Sequence, residues 1–371
     1  MKLSALPTPC LVLDRGILAR NLDTMARAVA RHSTALRPHM KTAKSIDVAR
    51  MALGTPLAQT AGITVSTLAE AEYFLSHGIT DQLYAVGITP QKLERVAELN
   101  GTAGDIKIIT DDPDVATAIA AHPAGARTLI EIDCGEGRGG IGPDSPAVLE
   151  IASRLGPRLA GIMTHAGHSY SGRSIADMAA IAETERQGAI IAAERLRAAG
   201  HACPIVSMGS SPTALYAGSL AGITEVRAGV YMLGDLFQAE IGTHGPADIA
   251  VTVLTSVIGR RPAERRIVVD AGGIALSKDR STESAPHDWG FGHARDIMGE
   301  PTLGHALVKR ANQEHGIIDL DPTLPDPGFR IGDKLRIAPN HVCMTSAAHD
   351  RYFVVDGSDE VIAVWRRING W

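Results

Sequence analysis

Between residues 35 and 235 the chain alternates short apolar runs with stretches of helical period. The runs are ALRPHM (35–40), AQTAGI (58–63), QLYAVG (82–87), IKIIT (106–110), TLIEID (128–133), LAGIMTHA (159–166), PIVSMG (204–209) and TEVRAGV (224–230). Between them lie amphipathic segments such as STLAEAEYFLSHG (66–78) and ADMAAIAETERQGAIIAAERLRAAG (176–200), the second with a glycine stop at Gly200. Strand–helix alternation with short loops predicts an α/β unit with a parallel sheet. Eight strand–helix units in this length point to a closed (β/α)8 barrel of TIM type. The competing arrangement, a doubly wound open sheet, leaves two strand edges to be covered.

Beyond residue 245 the period changes. IAVTVLTSVIG (249–259), RRIVVDAGG (265–273), KLRIAPN (334–340), DRYFVVDG (350–357) and EVIAVWRRI (360–368) are rich in β-formers and show few helical periods. They predict a second, mostly antiparallel β domain. The expected division is a barrel over 15–240 and a β domain over 241–371. CLVLD (10–14) fits either, so residues 1–14 are open to joining the β domain. The doublets Arg260-Arg261 and Arg265-Arg266, interrupted by Pro262, predict a solvated hairpin turn.

A chain of 371 residues is long enough for two domains with a sizeable core. A net charge of −5 argues against nucleic-acid binding. The N-terminus MKLSALPTPC has no apolar core of a signal peptide, and no apolar run reaches the roughly 18 residues of a membrane span. Cys10, Cys134, Cys203 and Cys343 are widely spaced, with no CxxC pair. A reduced, cytoplasmic protein is the expectation.

In a barrel the chemistry sits at the C-terminal strand ends. The first run ends in His39 and Lys41, which share a face if the strand continues through them. The fifth leads to Asp133 and Arg138, the sixth to Thr164, His165, His168, Ser169 and Tyr170, the seventh to SMGSSPT (207–213), and the eighth carries Arg227. A lysine at such a place reads either as a solvated charge or as a Schiff-base lysine whose pKa is lowered by burial and by neighbouring cations, here Arg37, His39 and Lys44. SMGSSPT reads as a tight turn or as a phosphate cradle of backbone N–H groups and hydroxyls. Residues 135–140 match GxGxxG only formally, because Pro143 follows almost at once where a dinucleotide unit would open a helix. In PNHVCMTSAAHD (339–350), His341 and Cys343 alternate on an expected strand end, either as a core thiol beside a surface imidazole or as two donors for a borderline-soft metal such as Zn²⁺.

Taken in order, RPHMKTAK (37–44), THAGHSY (164–170), the Gly/Ser turn, VRAGVYMLGD (226–235), VVDAGG (268–273), QEHG (313–316) and PNHVC (339–343) resemble the D-serine dehydratase and D-threonine aldolase family of pyridoxal-phosphate enzymes. The resemblance covers residues 7 to 370. It implies the alanine racemase fold, a PLP barrel followed by a β domain. By resemblance Lys41 is the Schiff-base lysine, Arg138 lies near the phenolic oxygen of PLP, and His165 and Tyr170 line the pocket. Gly209, Ser210, Ser211, Gly229 and Val230 match the phosphate cup, and Arg227 matches an arginine at the pyridine nitrogen. His341 and Cys343 match the metal pair, which in this family takes zinc in the dehydratases and manganese or other divalent ions in the aldolases. Two features depart from the pattern. Ala43 stands where the family more often has a second histidine, and the metal motif reads His-x-Cys where the aldolases read His-x-Asp.

The implied activity is that of a metal-dependent PLP lyase on β-hydroxy-D-amino acids, with Lys41 and His165 as the catalytic side chains. Dehydration of D-serine or D-threo-3-hydroxyaspartate to a keto acid and ammonia is the first reading, and aldol cleavage to glycine and an aldehyde is the alternative. Racemisation needs a second base, for which Tyr352 is the candidate, and a regulatory PLP protein of the same barrel type would lack the β domain. The small-molecule substrate is the expected partner, with no nucleic acid or membrane, in a homodimer.

Overall fold

The computed structural model describes residues 1–57 and 59–371. The chain opens with β1 (Cys10–Asp14) and α1 (Arg15–Ala30) and then alternates regularly. The strands of this stretch are β2 (Ala35–Pro38), β3 (Ile63–Val65), β4 (Asp81–Gly87), β5 (Asp105–Thr110), β6 (Thr128–Ile132), β7 (Leu159–Thr164), β8 (Ile205–Met208) and β9 (Glu225–Ala228). The helices between them are α2 (Ile46–Leu53), α3 (Leu68–Ser76), α4 (Leu93–Thr102), α5 (Pro113–Ala121), α6 (Ala147–Leu155), α7 (Ile175–Ala198) and α8 (Ser211–Tyr216). All eight strands pair in parallel in the order β2-β9-β8-β7-β6-β5-β4-β3. Bridges Leu36↔Thr60 and His39↔Thr64 return β3 to β2, so the ring closes as a barrel.

Local chemistry explains the helix starts. Thr67 caps α3 by accepting the Glu70 N–H, Asp112 caps α5 just before Pro113, and Ser174 caps α7. The long α7 ends two residues before Gly200, which takes the left-handed φ of +84°.

Each apolar run of the sequence yields a strand, with two shifts. The run 58–63 begins at Ala58, outside the described residues, and the strand is Ile63–Val65, where the run only ends. The first strand stops at Pro38. His39 keeps one bridge, and Lys41 lies in the turn that follows, so the two are not alternate positions of one strand. The glycine-rich segment 135–140 forms a loop and opens no helix, and α6 starts at Ala147.

The second sheet has nine strands: β1, β10 (Val251–Arg261), β11 (Arg266–Val269), β12 (Gly292–Arg295), β13 (Leu307–Ala311), β14 (Gly316–Asp319), β15 (Lys334–Pro339), β16 (Arg351–Val355) and β17 (Ala363–Arg366). Their order is β11-β14-β13-β12-β15-β10-β1-β16-β17. β1 pairs antiparallel with β10 and parallel with β16, and the other pairs are antiparallel. Leu3, Leu6, Cys10 and Val12 pack with Leu254 and Val355, which commits the N-terminus to this sheet. The four arginines of 260–266 flank a turn between β10 and β11, as the hairpin reading expects.

Two compact units result. One comprises 23–229 with 370–371, the other 1–22 with 230–369. The units part at 229/230 and inside α1, rather than at 240 and after residue 14. No disulfide joins the four cysteines. Among the described residues no helix is long and apolar enough to cross a membrane.

Candidate functional site

In the barrel unit the predicted residues gather at the C-terminal strand ends. Lys41 is exposed, while Met40, Thr42 and Ala43 around it are buried. The His39 N–H donates to Ala228 O at 2.7 Å, which fixes the turn against β9. Burial holds the His39 imidazole well below its ordinary pKa, and the charges of Lys41, Arg227 and His165 push the same way. His39 is therefore neutral. Two of the cations expected to surround Lys41 are neutralised elsewhere. Arg37 binds Glu225 and Asp81, both at 2.9 Å, and Lys44 pairs with Glu70 at 3.1 Å. Asp81 also takes Lys107, so the Arg37 guanidinium belongs to a buried ion network within the barrel.

His165 follows β7. A carbonyl oxygen only accepts, so the 2.8 Å contact to Gly209 O makes its Nδ1 the donor and leaves a lone pair on Nε2. Burial is the main cause that brings its pKa down to about 3, the Gly209 bond opposing and Lys41, Arg227 and Arg138 assisting. Arg227, on β9, donates Nε–H to Ser207 Oγ at 2.8 Å and a second N–H to Thr164 O. Its guanidinium pKa is lowered by burial, against the pull of Glu185, Glu225 and Glu131. Arg138 stands exposed on the loop after β6, 3.5 Å from Glu136.

The Gly/Ser turn opens α8. Ser210 caps it, accepting Thr213 N–H, and its hydroxyl lies 2.8 Å from Ser169 Oγ. A Cβ at Gly209 would come within 2.3 Å of Arg227 O and one at Gly229 within 2.7 Å of His39 O, so both positions need glycine. The expected phosphate cup is narrower than its sequence implied. The Gly209 N–H donates to Glu185 Oε1 at 2.9 Å and the Ser210 N–H to Thr213 Oγ1 at 3.0 Å. The Ser211 N–H meets the Tyr170 hydroxyl at 3.4 Å. Val230 begins the short 3-10 turn after Gly229.

Glu185 is a residue that sequence reasoning missed. It is fully buried on α7, and Oε1 accepts Thr164 Oγ1 (3.0 Å), Ala166 N–H (3.1 Å) and Gly209 N–H. It thereby ties the end of β7 to the end of β8. Among the described residues its Oε2 has no hydrogen-bond partner. Its helical position, in a long amphipathic repeat, looks like any solvated glutamate.

The donor set suits a phosphorylated aldehyde. An exposed amine on Lys41 lies within the electrostatic reach of two neutral imidazoles that also feel Arg227, and Arg138 adds to this field at His165. The Ser169 hydroxyl lies beside Ser210 and the Tyr170 hydroxyl beside the Ser211 N–H of the turn.

In the β unit, His341 and Cys343 do come together, but not on a strand. β15 ends at Pro339, His341 is the N-cap of a short helix α9 (Val342–Ser346), and Cys343 lies in its first turn. The His341 Nδ1 lies 2.6 Å from Asp279 Oδ2 and 3.2 Å from Ser281 Oγ. Although burial opposes protonation, the hydrogen bond and charge of Cys343, with Asp235 and Asp279, push the imidazole pKa up to about 10. Asp235 is buried and accepts Val342 N–H at 2.9 Å and Gln238 N–H at 2.7 Å, which anchors the main chain between the two donors. Burial raises the Asp235 carboxyl, against His341 and these two bonds. Asn340 binds Thr282 Oγ1 and Gly290 O, both at 2.7 Å, and so docks the loop that carries Asp279. Among the described residues no three His, Cys, Asp or Glu side chains form a ready metal cage. An imidazole already oriented by a carboxylate, with a thiol beside it, suits a divalent ion that keeps other positions open. Asp279 was invisible in the sequence, and Asp235 lay unmarked within VRAGVYMLGD.

Residues 13–236 match the alanine racemase N-terminal domain family, and residues 250–355 match a putative serine dehydratase domain. The chain is 42% identical to D-threo-3-hydroxyaspartate dehydratase of Delftia sp. (strain HT23), over 100% of this chain and 99% of the relative. It is 30% identical to a D-threonine aldolase of Arthrobacter sp., over 97% and 92%. A solved structure of a cysteine-to-alanine mutant of D-threo-3-hydroxyaspartate dehydratase, in the metal-free form, superposes with a TM-score of 0.94 at 40% identity, covering 100% of each chain.

Proposed function

The chain belongs to the family of D-serine and D-threo-3-hydroxyaspartate dehydratases and D-threonine aldolases, lyases on the alanine racemase fold, and we propose that it is itself a dehydratase. It would convert a β-hydroxy-D-amino acid of the D-serine or D-threo-3-hydroxyaspartate type to a keto acid and ammonia. The observation that carries this reading is the His341–Cys343 pair at the start of α9. Its thiol is the feature that the family resemblance links to dehydratases rather than aldolases, in agreement with the similarity to the Delftia enzyme.

The barrel residues fit pyridoxal phosphate. Lys41 would anchor it, Arg227 is assigned to its ring nitrogen and Arg138 to its phenolic oxygen. Ser211 N–H and Tyr170, with the main chain of Gly229 and Val230, would hold its phosphate. Gly209 and Ser210 shape that turn without donating their own N–H groups. When bound, the cofactor supplies an electron sink for charge at Cα. The Lys41 amine is the base for the α-proton. His165, neutral because its pKa lies near 3, presents Nε2 as a proton acceptor. His341 and Cys343 offer the borderline-soft donors that zinc favours, with manganese as the other candidate, and such an ion supplies Lewis acidity toward a hydroxyl group.

Aldol cleavage to glycine and an aldehyde is the second reading. It is favoured by the similarity to the Arthrobacter enzyme, with the unprotonated Nε2 of His165 as the acceptor at hand for a β-hydroxyl proton. Racemisation loses its candidate second base: Tyr352 is fully buried on β16, and its hydroxyl accepts Arg367 Nε–H at 2.9 Å. A cytoplasmic homodimer is the assembly and compartment we assign.

The test is product analysis with D-serine, D-threonine and D-3-hydroxyaspartate, with and without EDTA. Keto acid formed only without EDTA supports dehydration. Glycine with an aldehyde replaces this reading by the second, and turnover indifferent to EDTA removes the metal from either.

A further inference from the structure

We propose that Asp279 is a positioning residue for His341: its carboxylate holds the Nδ1 proton and thereby aims the Nε2 lone pair at the ion shared with Cys343. The inference rests on the reading of His341 and Cys343 as a metal pair, and it concerns a side chain 62 residues away in sequence.

The argument is one of donors and acceptors. A carboxylate oxygen 2.6 Å from an imidazole nitrogen is a charge-assisted hydrogen bond, with the ring as donor. Nδ1 is thus occupied, and Nε2, once it gives up its proton, is the nitrogen left to offer a lone pair to a metal. Asp279 sits on the Nδ1 side of the ring, and the two ring nitrogens point away from each other. It is therefore an orienting group and not a third ligand. The carboxylate is itself held. Ser281 donates its hydroxyl to Asp279 Oδ1 at 3.0 Å while lying 3.2 Å from Nδ1, and the Asp279 N–H donates to Ser277 Oγ at 3.0 Å. Asn340, the residue preceding His341, clamps the same loop through Thr282. The loop and the turn that carries the metal pair are therefore pinned together, with Asp279 held against the ring. A carboxylate in this relation to a ligating histidine sets its tautomer and raises its basicity, and its loss costs about 10–100-fold in metal affinity.

The test is zinc affinity of the PLP-loaded protein, by competition with a chromogenic chelator, for wild type, Asp279→Asn, Asp279→Ala and His341→Ala. Asp279→Ala should bind zinc about 10–100-fold more weakly than wild type. Asp279→Asn keeps an acceptor for the Nδ1 proton but not the charge, and should recover part of that loss. ¹⁵N NMR of the zinc form should show His341 protonated at Nδ1 in wild type. A merely structural Asp279 would instead lower the unfolding temperature of the metal-free protein and leave zinc affinity intact. Wild-type affinity in both Asp279 variants, with His341→Ala impaired, overturns the positioning role alone. Wild-type affinity in His341→Ala overturns the metal reading beneath it.

Discussion

Replacing Glu185 by leucine probes the joint between the ends of β7 and β8 through a fully buried side chain. Its Oε1 accepts Thr164 Oγ1 at 3.0 Å, Ala166 N–H at 3.1 Å and Gly209 N–H at 2.9 Å, in a side chain with no exposed surface. Leucine fills much the same volume but accepts nothing. Each buried donor left without a partner costs about 1–3 kcal/mol, so three give about 3–9 kcal/mol as a ceiling. The Thr164 hydroxyl can rotate and the donors share one acceptor, so the terms do not add fully, and about 3–5 kcal/mol is expected. That is a large part of a typical total of about 5–15 kcal/mol. Glu185→Gln keeps the Oε1 acceptor and puts its amide nitrogen where Oε2 has no partner among the described residues, so the loss should be about 1 kcal/mol. The assay is urea unfolding near neutral pH with linear extrapolation, requiring an unchanged slope. A leucine variant that loses under about 1 kcal/mol, or a glutamine variant as damaged as leucine, would show that the shared acceptor does not hold the two strand ends together.

Arg37→Leu leaves Glu225 without its guanidinium while Asp81 keeps Lys107, and a buried pair broken on one side costs about 3–5 kcal/mol, which thermal or urea unfolding will read. Adding Glu225→Gln should recover part of the loss, and no recovery would contradict the pairing. Lys41→Ala should abolish both the visible absorbance of the lysine-bound cofactor and its retention through gel filtration, and persistence of either moves the anchor to another residue. His165 sets a sign for acid stability. Its folded pKa of about 3 lies below the ordinary 6.5, so the unfolded chain takes up this proton first. The stability it contributes is complete above 6.5 and is lost as pH falls from there toward 3. At pH 5 that is about 2 kcal/mol. A His165→Gln variant should therefore have a shallower acid limb in pH-dependent unfolding, and an acid limb parallel to wild type would refute the shift.

The strand positions were legible because parallel strands are buried on both faces and read as continuous apolar runs. Seven of the eight runs mark barrel strands, the run 58–63 reaches its strand only at Ile63, and the β-rich tail marks the second sheet. The family resemblance likewise named the residues to which we assign the chemistry. The errors fall where a run meets a turn. His39 and Lys41, and then His341 and Cys343, have the spacing of alternate strand positions, yet β2 stops at Pro38 and β15 at Pro339. Nothing in the spacing distinguishes a strand end from the turn or helix start that follows it.

By itself, then, the sequence determined the number and order of the elements, because burial imposes a period that a chain displays along its own length. It also determined which side chains are chemically able to act. What only the tertiary structure decided is the state in which those side chains stand. Arg37 is bound by Glu225 and Asp81, 188 and 44 residues away, and so does not act on Lys41 as a loose cation. The Gly209 N–H is spent on Glu185, and the His341 imidazole is turned by Asp279. Hydrogen bonds and ion pairs act over about 3 Å in space and carry no period along the chain, so partners this far apart become visible only when the fold brings them into contact.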